Sequence, residues 1–170
     1  MVVQAMRALS DINAMSEASF VDAFGDVAEH SPWVARGASF ARPFKSRDDM
    51  VLAFEATMRA ASPAAQLSLI RFHPDLATKA KLTHDSSREQ QGAGLASLTA
   101  EEFAHFTDLN TRYRERFGFP FIFAVKGATK QQILASFEER VNNSKDMEFE
   151  MALTQVMRIF RFRIDDRVNA

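Results

Sequence analysis

Apolar residues along the chain recur at helical spacing and nowhere alternate with polar ones as a half-buried strand would require. Phe20, Val21, Phe24 and Val27 fall on one side of a helix, and Ser16 stands before them as an N-cap. Near the end of the chain, Phe149, Leu153, Val156 and Phe160 are separated by four, three and four residues, the stripe of a core-facing helix. Arg163 continues that stripe three residues on, and a guanidinium on an apolar face needs an anionic partner or ligand. Between these segments the punctuation is dense. Ser31-Pro32-Trp33 predicts a cap followed by proline at the first helical position, and Arg42-Pro43-Phe44 ends that helix. Ser46 with Asp49 opens the next helix, through about Ala61, and Ser62-Pro63 opens the one bearing Leu67, Leu69, Ile70 and Phe72.

That helix ends at His73, because Pro74 disfavours helical geometry in the residue before it. Ser86-x-x-Glu89 and Thr99-x-x-Glu102 both read as capping boxes. The second predicts a long helix through Phe103, Phe106, Leu109, Tyr113 and Phe117, stopped by Gly118. Phe119 to Val125 is apolar with neither helical nor alternating period, and predicts a buried extended segment. Thr129 caps a further helix to about Val141, and Asn142-Asn143-Ser144 is a loop before the last one. The expectation is an all-α chain of seven or more helices forming a single compact domain over 1–170, with one buried extended segment around 119–125.

Composition narrows the function. Sixteen Phe stand against one Trp and one Tyr, so aromatic bulk without a polar handle is destined mostly for the core. A formal net charge of −1 with no basic block argues against nucleic acid as a partner. The absence of cysteine excludes disulfides, thiolate metal sites and a cysteine nucleophile. No apolar run approaches the ~20 residues of a membrane helix. The first seven residues lack the apolar core of a secretion signal, and Arg167-Val168-Asn169-Ala170 is no peroxisomal address. A soluble cytoplasmic protein is the expectation.

Chemistry concentrates in two stretches. His73-Pro74-Asp75-Leu76 leads, after a basic spacer, to Ser86-Ser87-Arg88-Glu89-Gln90-Gln91-Gly92-Ala93-Gly94-Leu95. Phe117 to Gly127 supplies an apolar wall with backbone groups. His73 sits at a helix C-terminus, where the dipole favours the protonated imidazole. The helical turn from Ser86 to Gln90 offers N–H groups to an anion. Gly92 and Gly94, read as early in a helix, suggest close approach by another helix or a ligand. Each feature has a plainer reading: a structural histidine, a capping box, a packed core. A metal site at His73, Asp75 and His84 has no familiar ligand spacing, so none is expected.

Taken together, these motifs resemble the 2-oxo-4-hydroxy-4-carboxy-5-ureidoimidazoline (OHCU) decarboxylase family over nearly the whole chain. The resemblance runs through Glu29-His30-Ser31-Pro32-Trp33, Arg42-Pro43-Phe44, His73-Pro74-Asp75-Leu76-Ala77 and Ser86-x-x-Glu89-Gln90-x-x-Ala93-Gly94-Leu95. Asn110-x-x-Tyr113-x-x-x-Phe117-Gly118-Phe119-Pro120-Phe121, Val125-Lys126-Gly127 and the terminal Ala152-Leu153…Arg163 pattern complete it. Ile164 departs from the leucine that commonly follows that arginine, a conservative change.

The resemblance implies cofactor-independent decarboxylation of OHCU to (S)-allantoin in urate breakdown, with a small-molecule substrate and no metal. It implies His73 as acid/base and Glu89 as its carboxylate partner. Pro74, Ser86, Gln90 and the backbone of Phe121, Ile122, Phe123, Ala124 and Val125 would hold the ureido and ring groups, and Arg163 would lie near the carboxylate. Members of the family are often dimeric, which allows a homodimer, but no interface is legible in the residues. Two other readings remain open: a non-catalytic helical module binding a ureide or small anion, and a related decarboxylase or hydratase acting on another heterocyclic acid.

Overall fold

The computed structural model describes residues 5–78 and 82–170; the first four residues of the N-terminal reading, and positions 79–81 of the basic spacer, lie outside the described residues. The described residues form nine helices: α1 Leu9–Asn13, α2 Glu17–Phe24, α3 Trp33–Ser39, α4 Arg47–Ala60, α5 Pro63–Phe72, α6 His84–Gly92, α7 Ala100–Phe117, α8 Lys130–Arg140 and α9 Lys145–Asp165. Among them the only β feature is an isolated bridge between Arg7 and Val168. The all-α expectation holds. No helix among the described residues is long and apolar enough to cross a membrane.

Most of the predicted punctuation is observed. Ser16, Ser46, Thr99 and Thr129 each accept the backbone N–H three residues on, and Thr99 and Thr129 form full capping boxes with Glu102 and Gln132. Gly118 ends α7 at φ 78°, a conformation that an L side chain resists. Two readings are corrected. Ser31 does not cap α3: its hydroxyl donates to the Glu29 carbonyl at 2.8 Å, and Pro32 itself takes the N-cap place. Ser86 does not open α6, which starts three residues sooner because the Thr83 side chain accepts from the Ser86 N–H. The short α1 had no sequence signal, and its N-cap residue, Ala8, makes no side-chain cap.

The chain packs as two compact units, residues 1–69 with 157–170 and residues 70–156. In the first, Phe20 lies between Phe24, Phe44 and Phe54, with ring centroids 5.2, 6.1 and 6.2 Å away. Phe160 meets Phe54 edge-on at 6.0 Å, so the predicted α9 stripe does reach this core. Arg42 spans the corner after α3, donating to the carbonyls of Ile12, Met15 and Ser39.

In the second unit the core is aromatic and centred on Tyr113, whose ring lies 4.4 to 6.0 Å from Phe117, Phe119, Phe121 and Phe137. Residues 119–125 are neither helix nor strand, and all are buried except Phe123, which is half-buried. This matches the predicted buried segment. Phe121 stacks on Phe137 at 3.9 Å and 8°, which fixes the segment against α8.

The polar end of Tyr113 enters a buried ionic network. Its hydroxyl donates to Glu148 Oε1 at 2.6 Å, Arg140 Nε donates to the same oxygen at 2.8 Å, and Asn143 Nδ2 donates to Oε2 at 3.0 Å. Burial, together with the Glu148 carboxylate, holds the Tyr113 phenol well above its ordinary value of 10.0. Below pH 10.0 both folded and unfolded chains keep this proton. Above it the unfolded chain releases the proton while the folded chain retains it, so stability falls as pH rises, approaching about 1.4 kcal/mol per pH unit. As Tyr113 is the sole tyrosine, tyrosinate absorbance reports it alone. We expect that signal to appear only together with loss of helical circular dichroism. Tyrosinate formation in a chain that is still helical would contradict the network.

Candidate active site

The predicted acid/base histidine sits where the sequence places it. α5 ends at Phe72, and the His73 N–H still bonds to the Ile70 carbonyl at 3.1 Å before the chain turns away at Pro74. The imidazole is buried, with His73 at 5% exposure. Beyond Pro74 the chain forms a short loop held at three consecutive residues. Asp75 Oδ1 accepts from Arg114 Nε at 2.9 Å, the Leu76 carbonyl accepts from Asn110 Nδ2 at 2.9 Å, and the Ala77 N–H donates to Gln90 Oε1 at 3.1 Å. Ala77 has φ 56°, a conformation that a non-glycine residue keeps only when its surroundings impose it. Gln90 is the anchor on that residue.

The Gln90 bond also ties α6 to the histidine loop. Ser86, Glu89 and Gln90 lie three and four residues apart, hence on one helix face. Ser86 and Gln90 are buried and Glu89 is half-buried. Because Thr83 is the cap, neither Ser86 nor Glu89 is needed to start the helix, and the capping explanation for these two residues falls away. Gly92 and Gly94 are likewise relocated. They stand at and beyond the C-terminal end of α6, where Gly94 takes φ 83° in the turn. A Cβ on Gly92 would meet nothing within 4 Å, so the suggested close approach is not what that glycine provides.

The wall segment belongs to the same unit. Arg71, two residues before His73, donates from Nε to the Gly118 carbonyl at 3.1 Å, linking the end of α5 to the start of 118–125. Within the wall, the Ile122 carbonyl accepts from Arg140 Nη1 at 2.7 Å and the Ala124 N–H donates to Gln155 Oε1 at 3.0 Å. The Val125 carbonyl accepts from the Ala128 N–H at 3.0 Å. Three of the backbone groups that the sequence offered to a ligand are therefore already engaged by protein.

His73, Pro74, Ser86, Glu89, Gln90 and 121–125 thus occur on adjoining, mutually bonded elements of one unit. Arg163 lies in the other. Its Nη2 donates to Glu29 Oε1 at 2.8 Å and its Nη1 to the Val27 carbonyl at 3.2 Å, with Glu29 at 2% and Arg163 at 4% exposure. The anionic partner expected for an arginine on an apolar stripe is thus a buried glutamate. The 75–78 loop and α7 also line a cavity of about 290 Å³ that includes Asp75, Ala77, Asn110 and Arg114. It takes in none of the predicted acid/base or ureide-binding side chains. Asp75, the carboxylate of the metal reading, is engaged by Arg114.

Sequence reasoning missed the supports: Gln90 as an anchor of the loop, Asn110, Arg140, Glu148 and Gln155. Asn110 and Tyr113 did stand within the family-like motifs. Nothing in local spacing signals partners that lie 18 to 35 residues away in sequence, as they do for Arg140, Gln155 and Tyr113.

The chain as a whole is similar to known proteins. The family model described as OHCU decarboxylase matches residues 13–165. The 2-oxo-4-hydroxy-4-carboxy-5-ureidoimidazoline decarboxylase of Haloferax volcanii is 43% identical over 162 residues, covering 95% of this chain and 96% of that one. The uric acid degradation bifunctional protein PucL of Bacillus subtilis is 42% identical over 164 residues, which are 96% of this chain and 33% of that protein. A crystal structure of (S)-allantoin synthase superposes with a TM-score of 0.77 at 30% identity, over 93% of this chain and 53% of the other. The chain belongs to the OHCU decarboxylase family.

Proposed function

We propose that the protein decarboxylates OHCU to (S)-allantoin, with His73 as the acid/base group and Glu89 as its partner. The observation that carries the reading is a buried His73 leading into a loop that Gln90 ties, at Ala77, to the helix carrying Ser86 and Glu89, in a chain of this family. The chemistry asks little more. The leaving carboxylate of OHCU is attached next to a ring C=N bond, which accepts the electron pair as CO2 departs, so no external electron sink is needed. The protein's part is to hold the carboxylate out of the conjugated plane and to control protons on the hydroxyl and on the carbon that becomes chiral. In this reading Glu89 fixes the tautomer and orientation of His73. Ser86 and Gln90 hold the ureido group from the same helix face, and Pro74 with the Phe121–Val125 backbone bounds the ring.

Gln90 has one end already in use at Ala77, so it meets a ligand through its amide nitrogen. Arg163 is proposed for the carboxylate on the resemblance alone, and a carboxylate there has to share the guanidinium with Glu29.

The test is circular dichroism of allantoin while urate is oxidised in situ, with and without the protein. Uncatalysed decay yields racemic product, so a growing signal of the (S) enantiomer is the expected result. A flat trace from folded protein would remove the decarboxylase reading and leave a ureide-binding module as the one to test.

A further inference from the structure

Two side chains from different helices grip the wall segment by its backbone. Arg140, the last residue of α8, donates to the Ile122 carbonyl and lies 4.3 Å from the centroid of the Phe121 ring. Gln155, on α9, accepts the Ala124 N–H. Arg140 is 5% exposed and Gln155 7%, so both bonds are made away from water and restrain strongly. Packing alone does not call for this arrangement, since a buried ion pair can commonly be exchanged for apolar side chains without loss of stability. What an apolar side chain cannot supply is a donor at Ile122 and an acceptor at Ala124.

We propose that Arg140 and Gln155 are positioning residues for the decarboxylation, setting the register of 121–125 against the substrate. The inference rests on the function proposed above and adds a direction to it. In an extended run, residues two apart present their N–H and C=O groups to the same edge. With Ile122 and Ala124 turned to Arg140 and Gln155, the edge left for a ring or ureido group is that of Phe121 and Phe123. Phe123 is the residue of this run that keeps partial exposure. The Glu148 carboxylate, which binds Arg140 Nε, orients the guanidinium from behind, so the support extends through Tyr113 and Asn143 into the core.

The test compares Gln155→Met, close in volume and without an amide acceptor, with Gln155→Glu, which offers an acceptor oxygen in either protonation state. Three quantities are measured on the full chain: hydrogen exchange at the Ala124 amide, kcat and KM for OHCU, and enantiomeric excess of the allantoin. Gln155→Met is expected to speed Ala124 exchange, lower kcat/KM by about 10- to 100-fold through misplacement of the wall, and erode the enantiomeric excess. Gln155→Glu is expected to restore all three. If Gln155→Met does not fold, Gln155→Asn withdraws the acceptor by one methylene and carries the same comparison. Arg140→Lys keeps the charge against Glu148 but lacks the fork that reaches Ile122 as well, and is expected to lower kcat/KM similarly. Faster exchange at Ala124 with wild-type kcat/KM and wild-type enantiomeric excess overturns the positioning role, and so does unchanged exchange. A wild-type chain that turns over no OHCU overturns the parent reading and this assignment together. The exchange data then still show whether Gln155 holds the segment.

Discussion

His73→Asn decarboxylates OHCU about 10²- to 10⁴-fold more slowly than the wild type, the range that a correctly placed acid/base group contributes. The variant keeps its fold, because the loop after His73 is held by Asp75–Arg114, Leu76–Asn110 and Ala77–Gln90, none of which uses the imidazole. Glu89→Gln is the companion. With Thr83 as the cap of α6, the substitution leaves the start of the helix untouched, and a loss of activity reads on the carboxylate itself. If Glu89 orients His73 and balances its charge, Glu89→Gln lowers kcat without the global destabilisation of a lost cap, which costs about 1 kcal/mol. Steady-state kinetics beside thermal melts checks both. Near-full activity of folded His73→Asn protein would remove the histidine from the chemistry.

The fold was legible wherever one side of a helix had to be apolar and its end had to be punctuated. α2, α4, α7 and α8 begin at their predicted caps because each cap is followed by a phased apolar set that fixes the register. α6 shows the opposite case. Its sequence, HDSSREQQG, has no large apolar residue, so Thr83 and Ser86 were equally good caps on local grounds and only the packing decides between them. The placement of the candidate site residues was half legible for a related reason. His73 announces itself through the proline after it, and Ser86, Glu89 and Gln90 through their helical spacing. The bonds that aim them join residues 13 to 39 positions apart, as Gln90–Ala77 and Arg114–Asp75 do, and no periodicity encodes these. Phe149 is instructive as well. It lies on the predicted stripe but is only half-buried, while its neighbour Glu148 is the fully buried one, because the aromatic core of the second unit closes over an ionic network.

That network carries the largest expected effect on stability. Glu148→Ala removes the carboxylate that Arg140 binds, and takes the acceptor from the Tyr113 hydroxyl and the Asn143 amide at the same time. Arg140, at 5% exposure, is then a buried charge without a counter-charge, a situation that costs about 3–5 kcal/mol. For a chain of this size, that amounts to a melting temperature lower by about 6–20 °C, a large share of the roughly 5–15 kcal/mol that holds a typical domain folded. Thermal melts of the single variant check the magnitude. The double variant Glu148→Leu with Arg140→Met is the informative contrast. Apolar side chains of similar volume in place of both charges recover the part of the loss that comes from the stranded guanidinium, while the Tyr113 hydroxyl and the Asn143 amide remain without their acceptor. They do not restore the donor at the Ile122 carbonyl. The double variant is therefore expected to melt between Glu148→Ala and the wild type and still decarboxylate poorly, separating the cost of a stranded charge from the loss of the donor at the wall. Recovery of activity together with stability would mean that the wall holds its register without Arg140.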